Sequence, residues 1–247
     1  LSGKVKNLAV VHKTIMTTGI GESFIAEKLS KFESALPEHI KLAYLPKPGI
    51  VRLRLSGMGS DRMNLQKELN SFSDEILSIM NTYVFGYEND TLEKVIGDLL
   101  IKNNATLSIA ESCTGGYISH LITSVAGCSK YFKGSIIAYI DEIKKEFLDI
   151  DEKILEQHGA VSCETATEMA SAIRIKYNTT YSIASTGIAG PDGGTAEKPV
   201  GTVWISVGYH ENTITKKLQL GDNRERNIER TAIAALNLLR IHLLKLN

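Results

Sequence analysis

The chain has 247 residues, 43% of them hydrophobic and 23% charged, enough apolar material for a core in one large domain or two modest ones. Its formal net charge of +0 argues against a general nucleic-acid binder, which needs a basic footprint. No apolar run approaches the roughly 18 residues that cross a bilayer, so a membrane partner is not expected.

Three cysteines, Cys113, Cys128 and Cys163, lack the paired spacing of a zinc site or a redox pair. A reducing cytoplasm fits that usage, with Cys128 and Cys163 expected as buried small residues. The opening Leu1-Ser2-Gly3-Lys4 is neither an initiator start nor a signal peptide, and the expectation is a piece of a longer chain.

The first third reads β-α-β-β-α-β. Leu8 to Ile15 is strand-like, and Gly21-Glu22 opens a helix carrying Phe24, Ile25, Leu29 and Phe32 at helical spacing. Ile40, Leu42 and Tyr44 alternate, Pro46-Lys-Pro-Gly49 turns the chain, and Val51, Leu53 and Leu55 alternate again with Arg52 and Arg54 facing the other way. A helix from about Asp61 to Met80 follows, and Tyr83-Val-Phe85 reads as a last edge strand. Residues 1–90 are therefore expected as a small α+β domain, with the boundary in Gly86-Tyr-Glu-Asn-Asp90.

Residues 91–247 alternate strand and helix, which predicts a three-layer α/β/α domain. Thr91 is placed to cap a helix bearing Leu92, Val95, Ile96 and Leu99. Strands are expected at Thr106–Ala110, Gly134–Ile140, Tyr181–Ser185, Val200–Tyr209 and Thr213–Leu220. The last two are joined by His210-Glu211-Asn212, too short for a crossover, so they form an antiparallel hairpin and the sheet is mixed. Ser162 caps a helix through Tyr177, and the terminal helix puts Ile228, Ala232, Ala235, Leu239, Leu243 and Leu246 on one stripe.

Two cassettes follow short apolar strands. One is Glu111-Ser-Cys-Thr-Gly-Gly116; the other is Thr186-Gly-Ile-Ala-Gly-Pro-Asp-Gly-Gly194. In an open α/β sheet the carboxyl ends of the strands line one crevice, where ligands bind. The helix after Ser112, with Ile118, Leu121, Ile122 and Val125 on its buried stripe, ends at Gly127, so Ser112 sits at or just before a helix N-terminus. It is either a nucleophile or an N-cap, a role Thr114 could take instead; Cys113 is a rival nucleophile. Gly115 and Gly116 let a ligand approach the backbone closely.

A serine needs a base. His120 lies too far along the helix, and His158 reads as a structural histidine at a helix end. Lys144 is better placed, just after Tyr139 and Asp141 at the same sheet edge, and otherwise is a solvated lysine in a charged turn. An ordinary lysine must lose about 3 pK units to act as a base near neutrality, at roughly 4 kcal/mol. In the second cassette, Gly187, Gly190, Gly193 and Gly194 offer backbone N–H groups to a phosphate or ribose, in a connection long enough to suggest binding or disorder. Arg224, Arg226 and Arg230 head the final helix, as phosphate partners or as a solvated basic face. No metal-ligand spacing is visible.

The motifs Ser112-Cys-Thr-Gly-Gly116, Ala138-Tyr139 with Lys144, Thr186 through Thr195, and Lys198-Pro-Val-Gly-Thr-Val-Trp204 resemble the competence/damage-inducible CinA family, across about residues 91–247. Residues 1–90 resemble the KH-type middle domain of its full-length members, which begin with a molybdopterin-binding-like domain that is not expected within these 247 residues. The resemblance implies a nicotinamide-nucleotide amidohydrolase, a homodimer without cofactor, acting on nicotinamide mononucleotide. By motif it makes Ser112 the nucleophile and Lys144 its base, with Tyr139 beside them. Thr114, Gly115, Gly116, Asp141, the Thr186–Gly194 loop and Arg224 would then bind substrate. Asp141 departs from the family's usual asparagine, placing an acceptor where a donor is expected. The KH-like part has no Gly-x-x-Gly clamp of its own, which argues against RNA binding. Two other classes stay open: a non-catalytic nucleotide sensor or docking module, and RNA binding through residues 1–90.

Overall fold

The computed structural model describes residues 8–244, so Leu1 to Lys4 and Leu246 lie outside the described residues. Two compact units divide the chain, one ending at Thr91 and the other beginning at Leu92.

In the first unit the strands are β1 (Ala9–Thr18), β2 (Ile40–Lys47), β3 (Ile50–Gly59) and β4 (Val84–Tyr87), with helices α1 (Glu22–Ser34) and α2 (Arg62–Met80). They form one antiparallel sheet in the order β2-β3-β1-β4. Alternation along β3 buries Val51, Leu53 and Leu55 against Ile25, Leu29 and Phe32 of α1 and Leu65, Leu69 and Ile76 of α2. Asp61 starts α2 by accepting the Met63 and Asn64 amides at 2.9 and 3.0 Å. Phe24, expected on the buried stripe of α1, is 63% exposed; the apolar face is narrower than the composition suggested.

The second unit is a three-layer α/β/α sandwich. Its strands are β5 (Leu107–Glu111), β6 (Phe132–Ile137), β7 (Tyr181–Gly187), β8 (Thr202–Tyr209) and β9 (Asn212–Gln219). The sheet order is β6-β5-β7-β8-β9, parallel among β6, β5 and β7 and antiparallel from β7 onward, hence mixed. Helices α3 (Leu92–Lys102), α4 (Tyr117–Thr123) and α8 (Arg224–Leu244) pack on one face. On the other lie α5 (Asp141–Leu148), α6 (Glu152–His158) and α7 (Cys163–Lys176), capped at Ser162. Ala110, Ala138, Ala170 and Ala184 let α7 sit close against the strands. On α3, Leu100 rather than Leu99 is fully buried. Cys128 and Cys163 are only half-buried.

The end of β6 leaves one backbone atom outside the sheet. The strand expected to run to Ile140 ends at Ile137, because Ala138 N–H makes a last bond to Glu111 O at 2.7 Å and the chain then leaves the sheet. Tyr139 and Ile140 form an extended link into α5, so the Tyr139 carbonyl is released from sheet pairing.

Candidate active site

The turn between β5 and α4 carries Ser112, 8% exposed. It is not beside a helix N-terminus: α4 begins at Tyr117, with Gly116 as its N-cap at φ +99°, a left-handed conformation that favours glycine. Neither Ser112 nor Thr114 caps that helix. The fully buried Glu111 carboxylate does so from the strand end, accepting the amides of Gly116, Ile118 and Ser119 at 3.1, 3.0 and 2.9 Å and Ser119 Oγ at 2.6 Å. An anion at that end also complements the helix dipole. Thr114 Oγ1 instead pairs with Ser185 Oγ of β7 at 2.7 Å, and Ser112 N–H donates to Ser185 O at 2.9 Å, which ties the turn to its neighbouring strand. Sequence reasoning missed Glu111 and Ser185. The visible signal for Glu111 was a carboxylate closing an otherwise apolar strand.

With its backbone fixed, the Ser112 hydroxyl is lightly engaged, donating among the described residues only to Tyr139 O at a long 3.5 Å. Lys144 is one of the most buried side chains in the protein, 1% exposed, which removes the solvated-lysine alternative. Its Nζ donates to the same Tyr139 carbonyl at 3.4 Å and to Asp141 Oδ1 at 3.0 Å. Hydroxyl and amine therefore converge on one backbone oxygen, while no direct hydrogen bond joins them among the described residues. Asp141, at the start of α5, is 49% exposed and so faces both the lysine and solvent.

Cys113 is a poor rival. Burial pushes its thiol up to about 12, keeping the unreactive protonated form. His120 is exposed and stacks on Tyr117, and His158 at the end of α6 gives its carbonyl to Lys198.

The second cassette closes over the same sheet edge. Arg224 at the start of α8 donates to Gly190 O at 2.8 Å and to Tyr139 Oη at 2.9 Å, linking the glycine loop to the β6–α5 connection. Asn227, buried and absent from the sequence-based candidates, donates to Ala189 O at 3.0 Å and Gly221 O at 2.8 Å. Several loop positions need glycine for packing. A Cβ at Gly187 would lie 2.7 Å from Val203 Cγ2, at Gly190 2.5 Å from Val200 Cγ1, and at Gly194 2.7 Å from Val200 N. Gly193 is exposed at φ +88°. The Thr186 hydroxyl faces Ala160 O at 2.7 Å, away from a substrate role through Oγ1.

An open cleft of about 410 Å³, lined by Tyr117, Arg224, Glu225, Ile228 and Glu229, adjoins the cluster through Arg224. Burial, then the carboxylates of Glu229, Glu93 and Glu225, push the Tyr117 phenol up. Arg226 and Arg230 are exposed. Among the described residues no group of His, Cys, Asp or Glu could hold a metal ion, and no helix is long and apolar enough to cross a membrane.

Comparison with known proteins agrees with this architecture. The model of the CinA C-terminal domain matches residues 89–243, and that of the damage-inducible protein CinA KH domain matches residues 12–86. A CinA-like protein of Cytophaga hutchinsonii is 48% identical over 94% of this chain and 55% of its own length. One from Flavobacterium psychrophilum is 44% identical over 96% and 57%. The chain thus spans a little over half the length of these relatives. The crystal structure of the competence/damage inducible protein CihA from Agrobacterium tumefaciens superposes with a TM-score of 0.60 at 34% identity, covering 62% of this chain and 93% of that one. On the strength of these matches, the chain belongs to the CinA family, with a CinA-type KH domain followed by a CinA C-terminal domain.

Proposed function

We propose that the second unit is an amidohydrolase that converts nicotinamide mononucleotide to nicotinate mononucleotide and ammonia. The observation that carries this is the convergence of Ser112 Oγ and the buried Lys144 Nζ on the Tyr139 carbonyl. A short side-chain movement off that oxygen brings alcohol and amine within reach of each other, as a nucleophile and its base require.

In the proposed reaction Ser112 Oγ attacks the carboxamide carbon, and neutral Lys144 takes the hydroxyl proton and passes it to the departing ammonia. Water then cleaves the acyl-enzyme, giving its proton to Lys144, which returns it to the departing Ser112 Oγ. The oxyanion needs backbone donors. Gly115 N–H is spent on Ser112 O and Gly116 N–H on Glu111, so in this reading the Thr114 amide is the donor that the turn supplies. Arg224 keeps unspent guanidinium donors for phosphate beside the glycine loop.

Ammonia release from nicotinamide mononucleotide is the test. Ser112→Ala should lower kcat by about a thousandfold or more while leaving stability within about 0.5 kcal/mol, since the hydroxyl makes only one long bond. Lys144→Arg keeps the charge but cannot surrender its proton, and should be equally inactive. Wild-type turnover retained in either variant removes the Ser–Lys mechanism.

A further inference from the structure

Asp141 occupies an unusual electrostatic position. It is the carboxylate paired with the buried lysine at 3.0 Å, yet half of its own side chain is open to solvent. The other acid of the site, Glu111, is fully buried and its oxygens are taken by four donors. Among the described residues the site's arginine donates to Gly190 O and Tyr139 Oη rather than to Asp141. Asp141 is therefore the carboxylate at Lys144 that a ligand seated over Ser112 and Lys144 can reach, and its ion pair with Lys144 opposes the uncharged amine that proton transfer requires.

Resting on the amidohydrolase reading, we infer that Asp141 selects amides carried on a cationic ring by exchanging its ion pair with Lys144 for one with the ring. The charges balance. With carboxylate and ammonium paired, the local charge is zero; a fixed ring cation beside the carboxylate makes it positive. The ammonium N–H bond then breaks, its proton leaves to water, and the lone pair stays on Nζ to receive the Ser112 proton. A neutral ring offers Asp141 no replacement, so the lysine stays paired and its lone pair stays occupied. Asp141 thus acts as a specificity-determining residue, and its effect on Lys144 is one of positioning and charge.

The test compares oxidised nicotinamide mononucleotide with its reduced dihydropyridine form, which keeps ribose and phosphate but has an uncharged ring. Ammonia release is measured for wild type, Asp141→Asn and Asp141→Glu. Because each amide has its own intrinsic reactivity, the quantity read is the ratio of kcat/KM for the two substrates, compared between variants. Asn keeps an oxygen for Lys144 Nζ but no charge, and should lower the preference for the cationic form by about tenfold or more. Glu should retain most of that preference. Equal ratios in wild type and Asp141→Asn, or a Glu variant that behaves like Asn, overturn the inference alone. No ammonia from either substrate with wild type overturns it together with the amidohydrolase reading. Should Asp141→Asn turn over too slowly to measure, calorimetric binding in a Ser112→Ala background decides. The cationic form should lose its binding advantage when Asp141→Asn is added, and an unchanged advantage overturns the inference.

Discussion

At the residue scale, the proposed chemistry depends on how the Ser112 turn is held rather than on contacts of the hydroxyl itself. Glu111 bears most of that duty, since its carboxylate satisfies three amides and a hydroxyl in a fully buried position. Glu111→Ala leaves those donors without an acceptor and should cost on the order of 3 kcal/mol, read as a lower urea midpoint. Glu111→Gln removes the charge and turns an NH2 group toward donors, so it should also destabilise, by less, and should lower kcat because the turn loosens. The candidate nucleophile, lysine and tyrosine were legible in the sequence because each stands at the end of a recognisable strand or the start of a recognisable helix. What joins them was not. The meeting point is a main-chain carbonyl, and neither residue type nor spacing announces which carbonyl a chain will leave unpaired.

At the element scale, periodicity revealed most strands and helices, and its errors have local causes. The overlong β6 came from extending an apolar run through Ile140, although the chain exits the sheet once Ala138 has bonded Glu111. The expected buried stripe on α3 included Leu99, but the helix buries Gly97 and Leu100 instead, with Gly97 against the Tyr131 ring. A Cβ at Gly97 would stand 2.6 Å from Tyr131 Oη and 2.9 Å from Cζ. Gly97→Ala therefore sets a helix-propensity gain of about 1 kcal/mol against an overpacking penalty of about 1–3 kcal/mol. The penalty should win, lowering the thermal midpoint. The Tyr131 hydroxyl is buried without a hydrogen-bond partner among the described residues, so Tyr131→Phe should be neutral or stabilising by about 1 kcal/mol. In that background the Gly97→Ala penalty should shrink, a non-additivity that a double-mutant cycle reads directly.

At the scale of the whole molecule, the fold class was legible because strand–helix alternation and a hairpin too short for a crossover leave few sheet topologies. A shared response to alkali comes from burial in both units. The Cys113 thiol is pushed from 9.0 to about 12, and the Tyr131 and Tyr181 phenols from 10.0 to about 12, each chiefly by burial. Burial likewise raises the Tyr44 phenol in the first unit, reinforced by its hydrogen bond to Glu33. These groups keep their protons longer when folded than when unfolded, so the folded state binds more protons in alkaline solution and stability falls as pH rises. Urea midpoints should be level near neutrality and decline from about pH 9 toward 12. Tyr131→Phe, Tyr181→Phe and Cys113→Ala should each flatten part of that decline.

The Tyr139 carbonyl lies beyond the reach of ordinary substitution. Every residue type carries that group, so no codon change at position 139 can delete it, and side-chain scanning of this stretch would pass over the atom that Ser112 and Lys144 share. What does reach it is a change in chain length. One residue inserted or removed between Ala138 and Asp141 should swing the oxygen away and silence ammonia release, even with every named side chain intact.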